Sequence, residues 1–170
     1  MPNPNRDRGM RAEREACKLL TDLTGFPVQR MANQGIPLDV GDLYGIPNTT
    51  IQVSAVNPLP ARIWDRARQK TVDCTKQQER HGMRHGVALL RIDGGTWRAL
   101  VTTEQLLELA PIAGFVEDMT LDVTPGAIIR WAPYWAAGWT HVGAGIWVTT
   151  LGHWATDITA AVRPVEEEVA

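Results

Sequence analysis

Three acids and two polar side chains fall where some of them could meet. Glu13 and Glu15 lie in RGMRAEREACKLL, Asp42 in Gly41-Asp42-Leu43-Tyr44-Gly45, and Gln52 and Ser54 in TTIQVS. Residues two apart on a helix point about 200° apart, so only one of Glu13 and Glu15 can face a given site. Residues two apart on a strand share a face, as Gln52 and Ser54 do. An acid on a helix, an acid at a strand end and a polar pair on the next strand can converge at one edge of a sheet. Each residue also has a plainer role. The glutamates suit a solvated helix surface, Asp42 suits a turn before Gly45, and Gln52 and Ser54 suit the wet face of a strand.

Other reactive residue types carry less. His81 and His85 are four apart and could share a metal, but no cysteine or third ligand accompanies them, and they also read as a basic helix end. Cys17 and Cys74 give neither a disulfide framework nor a metal cluster. Cys17 falls near an apolar stripe and reads as core. Gly94-Gly95 reads as a hairpin turn, not a phosphate loop.

The elements that would position these residues follow from periodicity. Residues 9–24 predict an amphipathic helix, with Ala12, Ala16, Leu19, Leu20 and Leu23 in one stripe and Gly25 as its end. Residues 26–31 and 38–44 look extended, and residues 49–54 alternate as a strand. Residues 61–82 predict a long helix rich in Arg, Lys and Gln, with Ile63, Ala67 and Cys74 turned inward. Val87–Ile92 and Trp97–Thr102 predict a hairpin about Asp93-Gly94-Gly95. Thr102-Thr103-Glu104-Gln105 is a capping box that opens a short helix over 104–110. This order predicts an α/β fold with a small mixed sheet.

The chain has 170 residues, enough for one domain or one domain with an extension. Hydrophobic residues at 44% and charged residues at 21% exclude disorder for its bulk. No run approaches the roughly 18 apolar residues of a membrane span, so no membrane partner is expected. The N-terminal residues carry no apolar stretch of a secretory signal, and a reducing, cytoplasmic setting is expected. The net charge of −2 divides unevenly: residues 1–100 hold 15 Lys+Arg against 10 Asp+Glu, and residues 101–170 hold 2 against 9. A nucleic-acid face would therefore draw on the first part, through Arg8, Arg11, Arg62, Arg66, Arg68, Lys70 and Lys76. A solvated basic surface without a partner would look the same.

RGMRAEREACKLL, GFPVQR, DVGDLYGIP and IQVS, in that order, resemble the Holliday-junction-resolvase-like proteins of phages and archaea. These belong to the restriction-endonuclease-like, PD-(D/E)XK nuclease superfamily. The likeness runs from about residue 8 to residue 110. It implies a restriction-endonuclease-like core whose small mixed sheet is flanked by helices, over residues 1–112. It also implies a catalytic set of a helix glutamate, an aspartate, and the Glu and Lys of a Glu-x-Lys strand. That set binds Mg²⁺ or Mn²⁺, activates water and stabilises the transition state. By position the set falls on Glu13, Asp42, Gln52 and Ser54, with Glu13, Asp42 and Gln52 as the metal ligands.

Both members of the Glu-x-Lys pair are altered. Gln52 keeps an oxygen but no charge, and hard cations favour carboxylate oxygens. Ser54 supplies no positive charge. Losing one such stabilising group typically costs about a hundredfold or more in rate. The resemblance thus implies a DNA-binding protein with weak or lost cleavage and no cofactor. Two alternatives remain: an active nuclease whose lysine is relocated to Lys70 or Lys76, and a virion head or head–tail connector protein that reuses the fold. The setting is then host cytoplasm during infection, or the virion.

Residues 113–163 lie beyond this likeness. Trp131, Trp135, Trp139, Trp147 and Trp154 fall there among Pro133, Gly138, Gly143, Gly145 and Gly152. Pro133 and Gly138 argue against one long helix, so strands and turns are expected from Ile128 onward. Little positive charge accompanies these tryptophans. They are expected to form a β-rich extension that meets copies of this chain or phage structural proteins. Residues 164–170 form an acidic tail.

Overall fold

The first helix begins earlier than its apolar stripe. In a computed structural model that describes residues 3–31, 41–109, 124–131 and 138–163, α1 spans Pro4–Thr24. Asn3 caps it, its Oδ1 accepting the N–H groups of Asn5 at 3.1 Å and Arg6 at 3.4 Å. Pro4 takes the first helical position, where its missing N–H costs nothing. The polar residues before Gly9 join because of this cap, not because of hydrophobic spacing. Ala12, Ala16, Leu20 and Thr24 form the buried stripe, and Gly25 closes the helix at φ 75°.

The strands are β1 (Gln29–Arg30), β2 (Leu43–Tyr44), β3 (Thr49–Ala55), β4 (His85–Ile92), β5 (Thr96–Thr102), β6 (Thr140–Gly143) and β7 (Ile146–Thr150). They form one seven-stranded sheet in the order β1-β2-β3-β4-β5-β7-β6. Only β3 and β4 run parallel, and α2 (Pro60–His81) connects them. The remaining neighbours are antiparallel. The result is a mixed α/β fold with a larger sheet than expected, because residues 140–150 join it. Thr149 pairs with Ala99 and Val148 with Leu100, so β7 continues the sheet beyond β5.

The register sorts side chains to two faces. Ile51, Val53, Val87 and Leu89 pack into a core with Ala12, Ala16 and Leu20 of α1. The alternate residues Ala88, Leu90 and Ile92 pack with Ile63 and Ala67 of α2. Gln52 pairs with Ala88 and Ser54 with Leu90, which puts both polar residues on the α2 face. They were expected to be wet, but both are buried.

The C-terminal part holds the expected strands at β6 and β7 and departs from expectation on either side of them. Pro125–Trp131 is a helix, α4, and Leu151–Val162 is a helix, α5, while α3 covers Thr103–Leu109. Thr150 caps α5, its hydroxyl accepting the His153 N–H at 3.1 Å. Leu151, Trp154, Ala155 and Ile158 follow at helical spacing and are buried. α4 is held by Arg98, which is buried and donates to the Ile129 and Arg130 carbonyls at 3.1 and 2.8 Å. A cation at the last carbonyls of a helix also complements its dipole. No helix among the described residues is long and apolar enough to cross a membrane.

Candidate functional site

The site grows from the short pairing of β2 with β3. β2 meets β3 in register only at Leu43↔Ile51. Before it, the Asp42 N–H donates to the Ile51 carbonyl at 2.8 Å. That approach needs Gly41: at φ 127°, a Cβ there would stand 2.7 Å from the Ile51 oxygen. The Asp42 carboxylate then replaces the next ladder partner, with Oδ2 accepting the Val53 N–H at 2.7 Å. Such a bond to a charged acceptor is short and strong.

Lys70 reaches the same carboxylate from α2. Its Nζ is 3.6 Å from Asp42 Oδ2 and donates to Gln52 Oε1 at 3.4 Å. Asp42, Gln52 and Lys70 therefore meet. Lys70 and Ser54 both line a cleft of about 640 Å³. The end of β3 and the loop after it contribute Ser54, Ala55, Val56 and Asn57; α1 contributes Asn5, Arg8 and Gly9. Along α2, Arg62, Asp65, Arg66, Gln69 and Lys70 recur at three- and four-residue spacing and form the facing wall.

Glu13 is engaged by β1. Its Oε2 accepts from Arg30 Nε at 2.7 Å. Glu15 points to the other flank of α1, accepting from Arg91 Nε and Trp97 Nε1, each at 2.9 Å. The two glutamates thus divide as helical geometry requires. The donor set does not fit a divalent ion as it stands. Glu13 is paired with Arg30, Gln52 is neutral, and the Lys70 ammonium sits against both Asp42 and Gln52. Among the described residues no three His, Cys, Asp or Glu side chains gather to hold a metal. His81 Nε2 and His85 Nδ1 are buried without a hydrogen-bond partner. Burial pushes the His85 imidazole below its ordinary value, Arg84 adding to the effect and Glu108 opposing it.

No protein-family model, curated protein or solved structure matches the chain.

The expected cations divide between faces. Arg8, Arg62, Arg66 and Lys70 line the cleft. Arg68 and Lys76 turn to a second groove with Val72, Ala144 and Ile146 on the other flank of α2. Arg11 is exposed on α1 and does not line the cleft. Sequence reasoning missed Asn5, Asn57, Asp65 and Gln69. The last two were legible, since they share a helical face with Arg62, Arg66 and Lys70. Asn57 precedes Pro58 and turns the loop, its Oδ1 accepting the Leu59 N–H at 3.0 Å.

The cysteines are structural. Cys74 is buried on α2, and its thiol is pushed up to about 12, chiefly by burial. Burial also raises Cys17, against the lowering effect of Arg30.

The tryptophans divide between core and surface. Trp139 and Trp154 are 2% and 1% exposed and belong to the α1-side core. Trp139 also donates to Asp157 Oδ2 at 2.9 Å. Trp147 is half-buried and donates to Thr103 Oγ1 at 3.0 Å. Trp131 is 44% exposed, with the Arg130 guanidinium 5.0 Å from its ring centre. Trp135 lies outside the described residues.

Proposed function

We propose that this chain is a nuclease-fold protein that binds DNA in the cleft between α1 and α2 and has little or no metal-dependent cleavage. The observation that carries this reading is Lys70. It lines the cleft while its ammonium stands against Asp42 and Gln52, the two oxygens a metal would need. The order helix, strands, helix, strand supports the resemblance to resolvase-like nucleases.

The cleft suits a phosphate backbone. Among the described lining residues, Arg8, Arg62, Arg66 and Lys70 stand against a single carboxylate, Asp65. Cations of this kind bind by releasing counterions from DNA, which gives affinity without sequence preference.

A second reading is an active nuclease in which Lys70 replaces the missing strand lysine. The same 3.4 and 3.6 Å contacts favour it. It requires Lys70 to release Asp42 when metal and DNA arrive.

A binding and cleavage assay on branched and linear DNA, with Mg²⁺ or Mn²⁺, separates the two. The expected result is binding with little cleavage, and increased cleavage by the Gln52→Glu/Ser54→Lys double variant. Robust cleavage by the unaltered chain, abolished by Lys70→Ala, establishes the second reading. Absence of DNA binding overturns both.

A further inference from the structure

We propose that the cleft takes a terminal phosphate of a DNA strand, a phosphomonoester, and holds it with the protein's own groups rather than through a divalent metal. This rests on the DNA-binding reading of the same cleft and names the part of the DNA it prefers.

The first observation is Ser54. It is only 9% exposed, it lines the cleft, and its hydroxyl makes no hydrogen bond among the described residues. That hydroxyl is not sealed from solvent: it opens to the cleft and is free to donate there. An anionic oxygen in the cleft would accept the Ser54 proton.

The second observation is the start of α2. Leu59 occupies its N-cap with no side-chain acceptor, and Pro60 has no N–H. The backbone N–H groups of Ala61 and Arg62 are therefore uncapped by any side chain. Leu59 and Arg62 both line the cleft, so the positive end of a 22-residue helix opens beside it. The first turn of α1 also reaches the cleft through Asn5, although Asn3 already caps that helix.

The third observation is charge. Arg8 and Arg62 form no ion pair among the described residues, and Arg66 is engaged only by Gln69 Oε1 at 3.4 Å. Among the described residues, Asp65 is the one acid lining the cleft. A phosphodiester carries one negative charge, whereas a phosphomonoester carries about −1.5 to −2 at neutral pH. The same donors hold the second more strongly, and they supply the neutralisation that a metal would otherwise bring.

The test uses the full chain in EDTA at fixed salt. Fluorescence anisotropy would compare one short single-stranded DNA ended by 5′-phosphate, by 3′-phosphate or by hydroxyls only. The expected result is about tenfold tighter binding of one phosphorylated form. Which end wins identifies the strand polarity, and inorganic phosphate should compete it off. Ser54→Ala and Arg62→Gln should each cut the preference to about threefold or less. Equal affinity for all three DNAs overturns this inference and leaves the DNA-binding reading standing. Binding of no DNA overturns both. A preference that appears only after adding Mg²⁺, or one that both variants retain, also overturns it.

Discussion

Asp42 does the most local work of any single side chain, accepting the Val53 N–H while facing Lys70. Asp42→Ala leaves the Val53 N–H without its acceptor and the Lys70 ammonium without its ion-pair partner. Denaturant unfolding should show a loss of about 1–3 kcal/mol, typical of a hydrogen bond to a charged group. Cys74, with its thiol near 12, should resist alkylation in the folded chain and react on unfolding. His85 gives the pH dependence a sign. Its folded value lies below the ordinary 6.5, so near that pH the unfolded chain binds more protons than the folded one. The His85 contribution is fully present above 6.5 and is lost as pH falls from there toward the folded value. Thermal melts should therefore fall in temperature across that window, and His85→Gln should flatten the fall. The candidate residues were legible one by one, as an acid before a turn and an alternating strand. Their partners were not: no local spacing tells that Lys70 will meet Gln52, 18 residues away.

At the scale of elements, contact between helices decides what spacing could not. α4 lies so close to the start of α2 that a Cβ on Gly126 would collide with the Pro60 carbonyl. Gly126→Ala should force α4 from its seat, at about 1–3 kcal/mol, read as a lowered denaturation midpoint. Elements with strong periodic signals matched well: α2 and β3 each differ from expectation by a residue at their ends. Residues 151–162 were misread because the case that Pro133 and Gly138 make against one long helix was extended over everything after Ile128. The Thr150 cap and the apolar spacing that follows it were the overlooked signal.

The whole molecule sets both the stability and the reach of the cleft. β7 pairs with β5, and Trp154 and Ile158 of α5 share a core with α1. A chain truncated before residue 120 should then lose cooperative unfolding, visible as a broad or absent melting transition. DNA binding should weaken steeply with salt. Four lining cations set a ceiling of roughly −3.6 on the slope of log affinity against log salt for duplex DNA, at about −0.9 per neutralised phosphate. Arg62→Gln should lower that slope by about one, whereas Lys76→Gln, facing the other groove, should leave it unchanged.

By itself the sequence determined the class of fold, most helices and strands, and the loss of charge at Gln52 and Ser54. Those features depend on residues within a turn or a strand of one another, where period and side-chain type suffice. Only the tertiary structure decided that Lys70 faces Asp42 and Gln52, that Arg68 and Lys76 leave the cleft, and that residues 140–150 complete the sheet. These depend on where α2 crosses the sheet and on which strand β7 pairs with. Both are set by packing between distant segments, and no local pattern in the chain encodes either.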